Sequence, residues 1–258
     1  TVGAQTNDPS RYANESVLAN GTWYKIKVED TGVYKITYEK LKQWGITNPQ
    51  NVQIYGYGGW MIDQDFASTD QLASQDDLPK VGMWMSKPRD QFGPGDYILF
   101  YAKGDVKWTY TSGSFRQTQN PYSFDSYYFI TETTGDSKLM AEATAASTVD
   151  EVLTTYNDYY LHEQELVNIT QTGREFYGEN FKTKPNQDFS VSLSGITSDP
   201  ASVSISFIAR TTASTATIST SVNGTEIDKG NIPVIDDSYY ARASLYETTK
   251  TSTLHSKT

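Results

Sequence analysis

Residues 22–37 read TWYKIKVEDTGVYKIT, and their side chains alternate with a period of two. On an extended backbone Tyr24, Ile26 and Val28 fall on one side and Trp23, Lys25 and Lys27 on the other, and the alternation resumes at Val33 after Asp30, Thr31 and Gly32. A helix would scatter these residues around its axis, whereas a pleated strand sorts them onto two faces. The pattern predicts two strands joined as a hairpin. Gly32 would supply a positive φ at the turn, and Asp30 would accept a hydrogen bond from the turn backbone. The period then changes. Thr37 is placed to cap a short helix through Leu41 and Trp44, and Gly45 to end it.

Strand texture continues along the chain. Strands are predicted at Val52 to Tyr55, Val81 to Met85, Asp96 to Ala102, Lys107 to Tyr110 and Ser126 to Thr131, with a turn at Gly93-Pro94-Gly95-Asp96. The 19 Tyr and 5 Trp, set among many Thr and Ser, suit half-buried pleated surfaces. A break in small residues, KLMAEATAAST, precedes a region that is poor in charge beyond Phe181. There Phe189, Val191 and Leu193 share one strand face, as do Val203, Ile205 and Phe207, and Ile218, Thr220 and Val222. Asn223-Gly224 is the strongest hairpin signal in the chain. The final stretch, LYETTKTSTLHSKT, fades into polarity. The expected fold class is therefore mainly β, with two β-rich domains. Residues 21–150 would form the first, with one or two short helices, and residues 151–258 a jelly-roll-like β-sandwich, incomplete at its C-terminal end.

Several function classes are disfavoured. With 21 Lys and Arg against 31 Asp and Glu, the chain repels phosphate backbones, so nucleic acid is not an expected partner. No apolar run approaches the roughly 20 residues that span a bilayer, and Thr1 to Tyr12 carry no export signal. The glycines of YGYGGWMID follow a strand but do not open a helix or end in Gly-Lys-Ser/Thr, so they read as a sharp bend with close backbone approach. The acidic run holding Asp63, Asp65, Asp70, Asp76 and Asp77 lacks calcium-loop spacing and reads as a solvated loop. No cofactor and no metal are expected.

The stretch HEQELVNITQTGREFYGENF, residues 162–181, gathers the candidate site residues His162, Glu163, Arg174, Glu175, Tyr177 and Glu179. A zinc helix would need a second histidine where Leu166 stands, His255 lies in the polar tail, and there is no cysteine. Arg174 could form bidentate pairs with Glu163, Glu165 or Glu179, flanked by Phe176 and Tyr177. Three roles are open to such a cluster: fixing two domains against each other, facing a further domain, or holding a ligand. Trp60, Trp84 and Trp108, if exposed together over a groove, would instead mark a surface module that binds glycans or proteins.

The segments WYKIKVEDTGVYKITYEKLKQWGI, VQIYGYGG, GDYILFYAKG, SYYFIT and HEQELVNITQTGREFYGENF, taken in order, resemble the N-terminal region of gingipain-type cysteine peptidases, among them the sortase of the type IX secretion system. The resemblance covers roughly Gly21 to Phe181 and extends to the later strands in texture only. It implies an exported, cell-surface protein whose catalytic His and Cys belong to a separate caspase-like domain downstream. Neither His162 nor His255 carries over as the catalytic histidine. The expected partners are that downstream peptidase domain and other surface or secretion components.

Overall fold

The computed structural model describes residues 12–61, 73–112, 114–149, 151–173, 176–236 and 242–254. Among the described residues the chain is mainly β, with one named helix of six residues, short 3-10 turns, several small antiparallel sheets and no closed barrel. It divides into two compact units, Thr1–Ser147 and Thr148–Thr258.

In the first unit, strands β1 (Tyr24–Val28) and β2 (Gly32–Thr37) are followed by helix α1 (Tyr38–Gln43) and strands β3 (Val52–Tyr55) and β4 (Met83–Met85). Strands β5 (Tyr97–Ala102), β6 (Val106–Thr111), β7 (Ser114–Gln119) and β8 (Ser126–Glu132) complete it. One sheet has the order β1-β8-β3, a second β2-β5-β4, and β6 pairs with β7 alone. The first two sheets share one core. Val28, Ile54, Tyr128 and Ile130 enter it from one side and Ile36, Met83, Ile98 and Phe100 from the other. Phe100 and Tyr128 meet edge to face, with ring centroids 5.5 Å apart.

The expected hairpin does not form. β1 pairs with β8, from Tyr24↔Ile130 to Val28↔Ser126, while β2 pairs with β5, from Gly32↔Ala102 to Thr37↔Tyr97. Glu29, Asp30 and Thr31 make a corner that carries the chain from one sheet to the other. Gly32 begins β2 without a positive φ. The Tyr34 hydroxyl accepts from Asp30 N at 3.1 Å and donates to Asp30 O at 2.9 Å, and Thr31 Oγ1 accepts from Gly104 N at 2.9 Å. Tertiary pairing overrides the local turn because two long-range ladders bury Tyr128 and Phe100 between them, and one hairpin would bury neither.

Helix α1 forms as its sequence predicts. Thr37 Oγ1 accepts from Lys40 N at 3.2 Å. Gly45 stands at φ +94°, with Gly45 N bonded to Lys42 O and Ile46 N to Leu41 O, a Schellman ending in which buried Leu41 and Ile46 supply the apolar contact. The glycine-rich bend after β3 is a close backbone approach: a Cβ on Gly58 would lie 2.9 Å from the Lys103 carbonyl oxygen. Of the acidic run, Asp63, Asp65 and Asp70 lie outside the described residues. Asp76 and Asp77 accept Ala13 N and Val17 N, both at 2.7 Å, so they hold the preceding segment rather than face solvent alone.

The second unit contains β9 (Pro200–Ala209), β10 (Ala216–Val222), β11 (Thr225–Ile232) and β12 (Ser244–Thr253). Asn223 and Gly224 both take positive φ, 51° and 83°, as the β10–β11 hairpin requires. Two sequence readings are corrected here. Residues 189–193 form no strand; Phe189 and Val191 are exposed, and no ladder partner reaches them among the described residues. The polar tail, by contrast, forms ten-residue β12, paired along its whole length with β9. The two sheets meet where the Tyr246 ring covers Gly230 and the Tyr246 hydroxyl donates to Asp228 at 2.8 Å.

Candidate functional site

The 162–181 stretch belongs to the second unit. His162 Nε2 lies 2.7 Å from Glu179 Oε1, and the His162 ring packs on Phe189 with centroids 4.5 Å apart. Glu165 accepts Phe176 N at 3.1 Å. Tyr177 forms a short antiparallel bridge with Val167: Tyr177 N donates to Val167 O at 2.8 Å and Val167 N to Tyr177 O at 2.7 Å. Glu163 is exposed. Arg174 and Glu175 lie outside the described residues. Burial opposes ionisation of Glu179, but the hydrogen bond from His162, the residue's own backbone N–H and the imidazole charge outweigh it, so the carboxyl sits below its ordinary range.

A carboxylate-oriented imidazole is two parts of a nucleophile-activating triad. Among the described residues no Ser or Thr hydroxyl bonds His162, and no group of three or more His, Asp and Glu is arranged to hold a metal. What the geometry does is staple residue 162 to residues 179 and 189, fixing a region with little regular structure.

The three singled-out tryptophans are each half-buried and lie on separate pieces of chain. Trp60 lies under Lys103 and Lys107, with Nζ atoms 4.8 and 5.6 Å from its ring, and Trp84 packs on Tyr97 at 5.9 Å. Trp108 sits on β6. None of the three lines the cleft described next, which sequence reasoning missed.

β1 and β2 are the outer strands of their sheets, and an open cleft of about 820 Å³ runs between them. Its lining takes in Tyr24 to Val28 from β1 and Tyr34 to Thr37 from β2, with Trp44 at the end of α1 and Phe100 of β5. Tyr24, Ile26, Tyr34 and Trp44 pack against the core. Among the described residues, every charged residue of the lining is a lysine: Lys25, Lys27, Lys35 and Lys40. Lys27 is paired with Asp125 at 2.7 Å, and that hydrogen bond raises the lysine's pKa and lowers the aspartate's. Lys25 Nζ sits 3.7 Å from the Tyr127 ring centre and Lys35 Nζ 4.0 Å from that of Tyr97. Lys40 bonds Gln43 at 3.0 Å. The signal was present in the sequence, as Lys25 and Lys27 alternate with apolar residues on β1 and Lys35 stands between Tyr34 and Ile36 on β2. It pointed to a cleft only once the two strands were known not to pair.

No protein-family model and no curated protein matches this chain. Among solved structures, it is similar to dimeric latent PorU from Porphyromonas gingivalis, at 25% sequence identity and a TM-score of 0.65. The match covers 95% of this chain and 22% of the PorU chain, so the chain is PorU-like over nearly all its length while spanning under a quarter of that protein.

Proposed function

We propose that this chain is a non-catalytic β-rich region of a PorU-like surface protein of the gingipain type, which supports, orients or restrains a downstream caspase-like domain in secretion or surface processing. The observation that carries the reading is the PorU likeness over 95% of the chain. The composition supports it: a thiol peptidase needs a cysteine thiolate, and these residues include no cysteine. The surface supports it too. Val152, Leu153 and Tyr156 are each at least three-quarters exposed, in a segment without strand or helix, and such side chains suit a surface covered by another domain. The half-buried, individually engaged tryptophans give no support to the rival reading as a glycan-binding module.

Two experiments test the proposal. Following the reading frame beyond Thr258 should reveal a caspase-like domain with His and Cys. Incubating the 258-residue chain with a fluorogenic peptide library, with and without reducing agent, should give no turnover. Turnover that vanishes in His162→Ala would make the His162–Glu179 pair an active site and overturn the proposal.

A further inference from the structure

We infer that the cleft between β1 and β2 docks an extended, acidic polypeptide segment of a partner protein, which adds to the free strand edges as a further strand. The inference stands on the geometry of the first unit alone and goes beyond the PorU likeness. The outer strand of an antiparallel pair directs the N–H and C=O of alternate residues away from its neighbour. β1 and β2 both present such an edge beside one cleft. The five β1 residues in the lining span about 16 Å, the length of a short strand.

The lining also matches what strand addition needs from side chains. Backbone bonds along an edge give affinity, and pockets under alternate guest residues give selectivity. Here Tyr24, Ile26 and Tyr34 form a half-buried apolar floor that alternate guest side chains would cover.

Charge selects the guest. The chain carries a net charge of −10, yet all the charged lining residues among those described are lysines. Among the described residues, Lys25 and Lys35 rest on tyrosine rings and Lys40 bonds the neutral Gln43 amide, so none of the three has a carboxylate partner and an acidic guest would supply the missing counter-charge. A second copy of this chain fits less well, because pairing β1 with its own copy sets lysine against lysine. Lysines on a strand edge commonly block that kind of self-association. The same lysines admit an acidic strand.

The test uses the whole 258-residue chain and three capped decapeptides. The first alternates Glu with Val and Tyr, the second replaces each Glu by Lys, and the third repeats the first with alternate backbone nitrogens methylated. Fluorescence polarisation should show saturable binding of the acidic peptide, weakened about tenfold or more in the other two. Hydrogen exchange should slow at residues 24–28 and 34–37 on binding. The double variant Lys25→Glu/Lys35→Glu changes two exposed side chains and should lose about tenfold or more in affinity, while Lys229→Glu on β11 should change it less than about twofold. The methylated peptide tests strand addition without altering the protein.

Four results would overturn the inference. Failure of the acidic peptide to saturate below about 1 mM would leave the cleft without a guest. The methylated peptide binding equally well would reduce the cleft to a polyanion sink. Protection confined to other residues would place the site elsewhere. Protection of 24–28 that rises with protein concentration in the absence of peptide would make the occupant a second copy.

Discussion

Gln53 is fully buried on β3, where apolar residues would be expected on both sides. Its amide donates to Ile54 O at 2.6 Å and Val81 O at 2.9 Å, and its carbonyl accepts Lys138 N. The side chain thus satisfies backbone groups of segments that cover β3 where no strand pairs with it. Gln53→Leu would leave the Lys138 N–H and the Val81 C=O without this partner at a dry site. The expected loss is about 1–3 kcal/mol, seen as a lower urea midpoint. An unchanged midpoint would mean that water reaches these groups. Thr37→Ala, which removes a local cap, should cost about 1 kcal/mol in the same assay. The sequence announced Thr37 and concealed Gln53 for one reason. The cap's partner lies three residues away, whereas Val81 and Lys138, which hold Gln53 from outside its own strand, lie 28 and 85 residues away.

Strands were readable from the sequence wherever alternation placed apolar residues inward, as in β5, β8, β9 and β10. β12 was missed because its inward face carries Tyr246, Thr248 and Lys250, and Asp228 on β11, rather than an apolar core, answers the polar ends of Tyr246 and Lys250. β7 was missed because SFRQTQ offers a single apolar residue, Phe115, which packs on Tyr110 across the pair. The 22–37 stretch gave both strands correctly and their pairing wrongly, because alternation specifies a face and not a partner. The cleft depends on that pairing, so it could not be read from the pattern. The corner that separates β1 from β2 is packed tightly: a Cβ on Gly104 would lie 2.9 Å from both Glu29 O and Thr31 N. Gly104→Ala should therefore cost about 1–3 kcal/mol by forcing backbone apart. It should also raise hydrogen exchange at residues 29–32, and normal exchange there would show that the corner holds without this contact. Gly224→Ala, at φ +83°, should cost about 1 kcal/mol through its turn geometry.

Acid acts on both units through the same physics. Burial disfavours the ionised forms of Asp77 and Glu132, but hydrogen bonds outweigh it: Leu78 N, Val17 N and Ser16 Oγ for Asp77, and Asn48 and Thr47 N for Glu132. In the second unit the Tyr246 hydroxyl does most to hold Asp228 below the usual carboxylate range, and Lys250 adds to it. A depressed folded-state pKa contributes stability that is complete above the unfolded value, about 3.9 for Asp and 4.3 for Glu, and is lost as pH falls through the folded value. Stability should therefore hold from neutral pH to about pH 5 and decline below it. The two units can be followed separately, because all 5 Trp, at positions 23, 44, 60, 84 and 108, lie in the first. Glu132→Gln should flatten the acid dependence of the urea midpoint read by tryptophan emission. Asp228→Asn should leave that curve unchanged while flattening the one read by hydrogen exchange in β11 and β12. Wild-type midpoints that stay level from pH 7 to pH 3, or variants that keep the full wild-type slope, would show that these carboxylates gain nothing from their partners. A variant in one unit that shifts both curves would show instead that the units unfold together.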